Sequence, residues 1–328
     1  MQDYELTILE KYPINVRSTR KTRGAFFCDT DEGLLLLREA GMPGKKVPTL
    51  FRLCEHLKEQ GYDRVDQIVA NEDGEYVSVS EDGTRYILKH WFYGRECDIR
   101  RNGEVLEAAR NLAKLHLLMQ VELDGVERRE PYLKDEYLRH NRELRKVRKF
   151  MRVKSPKGDF ELAFLKCFES MHEWAEAAIS CLEDFDYDGL YSENLAGNCL
   201  THGDYNYHNI LMTPEGIATT NFDKFRRDVQ VEDLYYFLRK AMEKHSWDKK
   251  MGDHILNMYS AIRPLSGKEM EYLKLRFVYP EKFWKIADSY YRSNKAWISA
   301  KNIEKLEMAM MQTEEKREFL DSIFSFRL

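Results

Sequence analysis

The sequence predicts an α+β fold, with strands gathered around one helix in the first 95 residues and a mainly helical remainder. Three observations predict it. Extended pieces joined by polar turns fill residues 15–38, a helical apolar stripe and two further extended runs follow, and beyond Gly94 the apolar period becomes that of a helix. The 328 residues, 43% hydrophobic and 33% charged, give enough chain for one large domain or two lobes sharing a cleft.

The pieces NVRSTRKTRG, AFFCDTDEG and LLLLREAG read as an antiparallel meander, with Asp31-Glu32-Gly33 as a turn. A helix ending before Gly61 follows, because Leu50, Leu53, Cys54 and Leu57 keep the i, i+3, i+4, i+7 spacing of a buried stripe. GEYVSVS and RYILKHWF are strand candidates on either side of the turn Glu81-Asp82-Gly83. In EVLEAARNLAKLHLLMQ, the residues Val105, Ala109, Leu112 and Ala113 line one helical face. Strands return only at residues 210–212 and 217–222, flanking the turn Thr213-Pro214-Glu215-Gly216, and residues 233–245 and 301–326 are again helical.

Bulk properties exclude several classes. A formal net charge of -4 gives no global pull toward nucleic acid or membrane, so a charged partner must meet a local patch. The six cysteines show no Cys-x-x-Cys pair, which argues against a zinc site or a disulfide framework and for a reduced, cytoplasmic compartment. The beginning MQDYELTILEKY lacks the apolar core of a signal peptide, and no apolar run approaches the roughly 18–20 residues of a membrane span. One bias is local: basic side chains crowd residues 139–157 against the single acid Glu143, as a docking surface for an anionic partner or as a solvated helix face followed by a basic loop.

The chemistry concentrates in THGDYNYHNILM, residues 201–212, and in NFDKFRRDVQVEDLYYFLRK after the hairpin. An Asp followed five residues later by an Asn, on a loop entering a hairpin, is how phosphoryl-transfer enzymes hold a base beside a metal ligand. Asp204 would accept or orient the proton of a substrate hydroxyl, Asn209 would offer an amide oxygen to Mg2+, and His202 and Gly203 would shape the loop.

These residues resemble the aminoglycoside phosphotransferase and choline kinase group. YGRECD at 93–98, LAKLH at 112–116 and DLYYFLRK at 233–240 are similar to its CotS-type spore coat branch. The resemblance covers nearly the whole chain and implies a two-lobed protein-kinase-like fold. Residues 1–95 would form a small antiparallel lobe over ATP, and residues 96–328 a helical lobe bearing loop 202–209 and hairpin 210–223. Trp91 and Phe92 would be the hinge. Asp228 and Asp233 match acidic positions after the hairpin; the second commonly braces the catalytic loop, and as a helix N-cap it would need no catalytic role.

The chain departs from that pattern in both lobes. Where active members usually carry an Asp that bridges two Mg2+ ions, this sequence has Asn221, which removes a full negative charge at about 2 Å from a dication. Either Asp223 takes over, although along a continuing strand it would lie roughly 6.5–7 Å away, or Asn221 turns the backbone and Asp223 pairs with Lys224, Arg226 or Arg227. In place of the phosphate-binding Lys stands Arg38, with Glu55 as its expected ion-pair partner, or else Arg38 is a surface cation. Gly24 stands alone between Arg23 and Ala25 where a glycine-rich loop would be. Two functions follow. One is an ATP- and Mg2+-dependent phosphotransferase acting on a hydroxyl of a small-molecule or protein acceptor. The other is a catalytically impaired binding and assembly protein of the spore coat, with coat proteins as partners. Neither calls for a membrane or nucleic acid.

Overall fold

The computed structural model describes residues 4–22, 24–292 and 300–328; Arg23, part of the expected glycine-poor turn, and the first three residues of the leading segment lie outside them. In chain order the elements are β1 (Val16–Thr22), β2 (Ala25–Thr30), β3 (Gly33–Glu39), α1 (Val47–Glu59), β4 (Ile68–Val69), β5 (Ser78–Val79), β6 (Arg85–His90), β7 (Arg95–Glu96), α2 (Asn102–Leu118), α3 (Leu133–Val153), α4 (Asp159–Glu183) and α5 (Tyr187–Ala196). They continue with β8 (Leu200–Thr201), β9 (Ile210–Thr213), β10 (Gly216–Thr219), β11 (Arg226–Arg227), α6 (Val231–Lys244), α7 (Lys249–Ser260), α8 (Gly267–Val278), α9 (Glu281–Arg292), α10 (Ala300–Met311) and α11 (Thr313–Phe324).

Two compact units emerge, each from two stretches of chain: Met1–Arg128 with Asn194–Phe237, and Arg129–Glu193 with Leu238–Leu328. In the first, an antiparallel sheet has the order β1-β2-β3-β6-β4, with β5 also on β6. The expected meander is present, and the registers Phe26↔Leu37 and Leu37↔Leu88 fix its faces. One face carries Phe26, Cys28, Leu35, Leu37, Tyr86 and Leu88, packed against Ile8, Leu9 and Tyr12, the first two lying in a 3-10 helix at Tyr4–Lys11. Since side chains alternate along a strand, the opposite face carries Phe27, Leu36, Arg38, Ile87 and Lys89. Helix α1 buries Leu50, Leu53, Cys54 and Leu57 as its spacing predicts.

Two expected strands are shorter than their apolar text. Of residues 74–80 only Ser78–Val79 pairs, and β10 stops at Thr219 instead of continuing to 222. The cause of the second is backbone: Asn221 turns left-handed at φ 63°, and Phe222–Lys224 form a 3-10 turn. The second unit is helical. Helix α4 buries Phe160, Phe164, Phe168, Met171 and Ala175, a stripe at helical spacing, and Phe164 stacks on Phe283 of α9 at 4.9 Å between centroids. None of the six cysteines is in a disulfide among the described residues, and no described helix is long and apolar enough to cross a membrane.

Candidate functional site

The loop that begins at His202 is held from below by one buried carboxylate. Asp233 Oδ2 accepts from the backbone N–H of His202 at 2.6 Å, and Oδ1 from that of Gly203 at 2.9 Å. His116 Nε2 lies 3.3 Å from Oδ2. Burial alone would raise the Asp233 pKa, but the His116 contact, His202 and the amide outweigh it and hold the carboxyl below its ordinary value. Asp233 thus makes the hydrogen bonds that a brace for the loop would make, and it sits inside the first turn of α6, whose first residue is Val231, rather than ahead of the helix as an N-cap. His202 Nδ1 accepts from the Asp204 N–H at 3.1 Å, so Nε2 carries the proton and donates to Thr220 O at 3.0 Å. Gly203 has φ 78°, and a Cβ there would overlap the Lys224 carbonyl, so the position admits only glycine.

At the rim, Asp204 is one-quarter exposed; Oδ2 accepts from Lys224 Nζ and Oδ1 from Asn206 Nδ2, each at 2.8 Å. Asn209 folds back beneath it, its Nδ2 donating to Asp204 O at 2.8 Å. Asn209 Oδ1, the oxygen expected on a metal, accepts from Asn221 Nδ2 at 2.8 Å.

Behind these residues lies an ionic cluster that the sequence did not reveal. Lys89, fully buried on β6, donates to Asp66 Oδ2 at 2.9 Å and to Asp223 Oδ1 at 3.1 Å. Arg38 pairs with Asp223 Oδ2. Asp66 Oδ2 also accepts from the Asn221 N–H at 2.8 Å. Burial presses the pKa values of both Lys89 and Arg38 down, with Asp66 opposing it. The expected partner of Arg38 is thus corrected: Glu55 is exposed on α1, and the acid that meets Arg38 is Asp223, 185 residues further on. Asp223 reaches the cluster because the 3-10 turn replaces the strand; the pairings expected with Lys224, Arg226 or Arg227 are not formed, Lys224 going to Asp204 and Arg226 to Asp228. The signal available for Lys89 was its place in RYILKHWF, a charge on the same face as Arg38 in a strand apolar on both sides.

These donors fit Mg2+ poorly. A dication of this kind wants two or more anionic or carbonyl oxygens in octahedral array. Here Asn209 Oδ1 is taken by the Asn221 amide, Asn221 brings no charge, and both oxygens of Asp223 face cations. Among the described residues no group of three His, Cys, Asp or Glu side chains is placed to hold a metal.

A cleft of about 400 Å³ opens over this floor. Its walls include Ala25, Phe27, Leu36, Arg38, Trp91, Leu211, Asn209 and Asn221. The Trp91 N–H donates to Leu34 O at 2.8 Å, which anchors the chain leaving β6. Phe92 is half-buried and does not line the cleft. His208, at the rim, has Nδ1 2.6 Å from Glu96 Oε2.

In the helical unit, the basic run of α3 and the residue that follows it is partly neutralised. Arg145 pairs with Glu176 at 3.1 Å, Arg148 with Glu169 and Lys154 with Glu161, all acids of α4.

The family model described as spore coat putative kinase YutH matches residues 5–323. Spore coat protein S of Bacillus subtilis (strain 168) is 23% identical over 328 residues, covering 96% of this chain and 92% of that one. Among solved structures, an aminoglycoside phosphotransferase from Alicyclobacillus acidocaldarius subsp. acidocaldarius DSM 446 aligns with a TM-score of 0.86 at 18% identity, over 97% of this chain and 95% of that one. An AMP-bound spectinomycin phosphotransferase gives 0.69 at 10% over 100% and 99%, and a microcompartment-associated aminopropanol kinase 0.58 at 15% over 97% of each. At these identities the likeness is one of fold, and the fold is that of the kinase-like phosphotransferases.

Proposed function

Because the chain belongs to the spore coat putative kinase YutH family, we propose that it serves the spore coat as a kinase-like binding and assembly protein that does not transfer phosphate with Mg2+. One observation carries this reading. The position where an active relative would place a bridging carboxylate holds Asn221, whose amide donates to Asn209 Oδ1, the other metal-ligand candidate. The acid two residues on, Asp223, is neutralised by Arg38 and Lys89, and Asp66, which accepts from the Asn221 N–H, is paired with Lys89. Removing one full charge beside a dication costs far more than a neutral amide returns. Asp204 keeps the place of a general base on a well-braced loop, but its carboxylate already accepts from Lys224 and Asn206.

The test is turnover. Purified protein with ATP, Mg2+ and hydroxyl acceptors such as amino sugars, choline-like amines and amino-acid alcohols is expected to release no more ADP than Asp204→Ala does. Magnesium-dependent turnover that Asp204→Ala abolishes would establish the phosphotransferase instead.

Assembly requires a surface, and α3 supplies one. Arg142, Lys146 and Lys149 are exposed, stand at i, i+4 and i+7, and form a stripe beside the cations that pair with α4. A partner with an acidic face among coat proteins suits it. Replacing all three by Glu should abolish localisation to the forming spore while leaving the thermal melt unchanged; retained localisation would remove this surface from the proposal.

A further inference from the structure

The helical unit holds another cavity, which shares no residue with the cleft. It measures about 60 Å³ and lies among α4, the end of α6, the connection between α8 and α9, and the pair α10 and α11. Met171, Phe277, Pro280, Phe283 and Ala309 give it apolar walls, and Trp174 and Trp247 add aromatic ones. The volume is well under the roughly 300 Å³ at which pockets for drug-sized molecules begin, so it suits a ligand of a few heavy atoms.

Two donors in this wall lack acceptors. Lys316 of α11 brings its Nζ to 4.8 Å from the centroid of the Trp174 ring and 5.7 Å from that of Trp247. The ring faces attract the ammonium, but an ammonium has three N–H donors to satisfy, and among the described residues no acid pairs with it. Trp174 is 1% exposed, and its Nε1–H is buried without an acceptor. A buried donor left unmet is costly.

The other charges of the wall are matched. Three cations, Arg239, Lys282 and Lys316, and two acids, Glu243 and Glu281, line the cavity. Glu243 pairs with Arg239 at 2.6 Å and lies 3.8 Å from Lys282, and Glu281 pairs with Lys285 at 2.9 Å. Arg317, with its guanidinium carbon 6.0 Å from the Trp174 centroid, goes to Glu314 at 2.9 Å. The surplus is one positive charge, on Lys316. As a residue Lys316 is only half-buried, yet packing around the ammonium pushes its pKa down to about 7, with Glu243 opposing the shift and Arg239 adding to it.

One kind of molecule answers all of these features: oxygens for Nζ and Nε1, a negative charge for the surplus cation, and carbon for the walls. We infer that this cavity binds a small organic carboxylate with an apolar tail, its oxygens held by Lys316 Nζ and Trp174 Nε1. A charge-assisted hydrogen bond is stronger in such a low-dielectric surround than in water. A cationic amine of the same size would meet the surplus charge and be repelled.

Calorimetric titration of the full chain with butyrate, butyramide and butylamine, three molecules of similar size and different charge, tests this. At pH 6.5 butyrate is expected to saturate the site below about 10 mM and to bind at least about tenfold tighter than butyramide, with no binding of butylamine. Lys316→Met keeps the bulk and removes the ammonium. It should weaken butyrate binding by about tenfold or more without lowering the melting temperature, since no acid is left stranded. Trp174→Phe keeps a ring and removes the N–H, for a loss of about three- to tenfold. Raising the pH to 8.5 should weaken wild-type binding by at least about fivefold as Lys316 gives up its proton. Glu243 and Glu281 do not contribute to that change, because burial would raise their pKa values but neighbouring cations hold both below the ordinary carboxylate value. Equal affinities for butyrate and butyramide, butyrate binding that survives both substitutions, affinity equal at the two pH values, or no saturation by butyrate would each overturn the inference. None of these residues belongs to the cleft or to the exposed stripe of α3, so failure here leaves the assembly reading standing, and turnover with Mg2+ would sink that reading without touching this one.

Discussion

Asn221 sits at φ 63° and ψ 52°, a left-handed conformation that Asn and Asp tolerate better than other side chains with a Cβ. Asn221→Asp should therefore keep the backbone and change only the charge. Around it the formal charges of Arg38, Lys89, Asp66 and Asp223 cancel, as do those of Lys224 and Asp204. A new carboxylate would face the Asn209 oxygen with no donor between them, so thermal stability should fall in EDTA and recover in millimolar Mg2+; a wild-type protein that responds to Mg2+ equally would contradict this account. Lys89 is costly to remove. Lys89→Met leaves Asp66 buried without its cation, and breaking such a pair typically costs about 3–5 kcal/mol, to be read from urea unfolding. His202 adds a pH dependence. Burial holds its pKa below the ordinary 6.5, so the unfolded chain binds a proton first and stability falls as pH drops below about 6.5 toward the folded value. Denaturant midpoints between pH 7 and pH 5 should decline, and His202→Gln, which cannot titrate, should flatten that decline.

Local pattern made most elements legible. The meander β1-β3, the stripe of α1 and the β9-β10 hairpin each follow from period and turn residues, and the loop with Asp204 and Asn209 follows from spacing. What escaped was set by distant partners. Nothing near Asp66 in the sequence marks it as the acid of a buried pair, because its cation is 23 residues away and its amide donor 155. Glu55, on an obvious helix, looked a better partner for Arg38 until the turn at Asn221 brought Asp223 inward. That turn is itself an element with a test. Gly203 lies against the Lys224 carbonyl at positive φ, so Gly203→Ala should push the two loops apart, lower the melting temperature and weaken hydrogen-exchange protection at the His202 and Gly203 amides, which Asp233 now holds. Unchanged protection would mean the loop is fixed by something other than this close approach.

The whole molecule bears on where the chain can be cut. A lobe of residues 1–95 remains our proposal for the part that covers the cleft, yet its polar interior is completed from residues beyond it. Arg64 O accepts from Thr219 N, Tyr62 OH meets Thr219 Oγ1 at 2.7 Å, Asp66 takes the Asn221 amide and Lys89 takes Asp223. The compact unit accordingly gathers Asn194–Phe237 with Met1–Arg128. Cut at 95, the fragment would leave a fully buried lysine with half its acids and would expose apolar surface that α2 and β9 otherwise adjoin. A fragment of 1–95 is expected to be unfolded or aggregated, with no dispersed amide spectrum, because losing part of a buried ionic cluster costs about 3–5 kcal/mol against a total stability of about 5–15 kcal/mol. A well-dispersed, protected spectrum for the unmodified fragment would show that the sheet and α1 alone sustain the fold, and would make the ionic cluster an addition to that lobe instead of a condition for it.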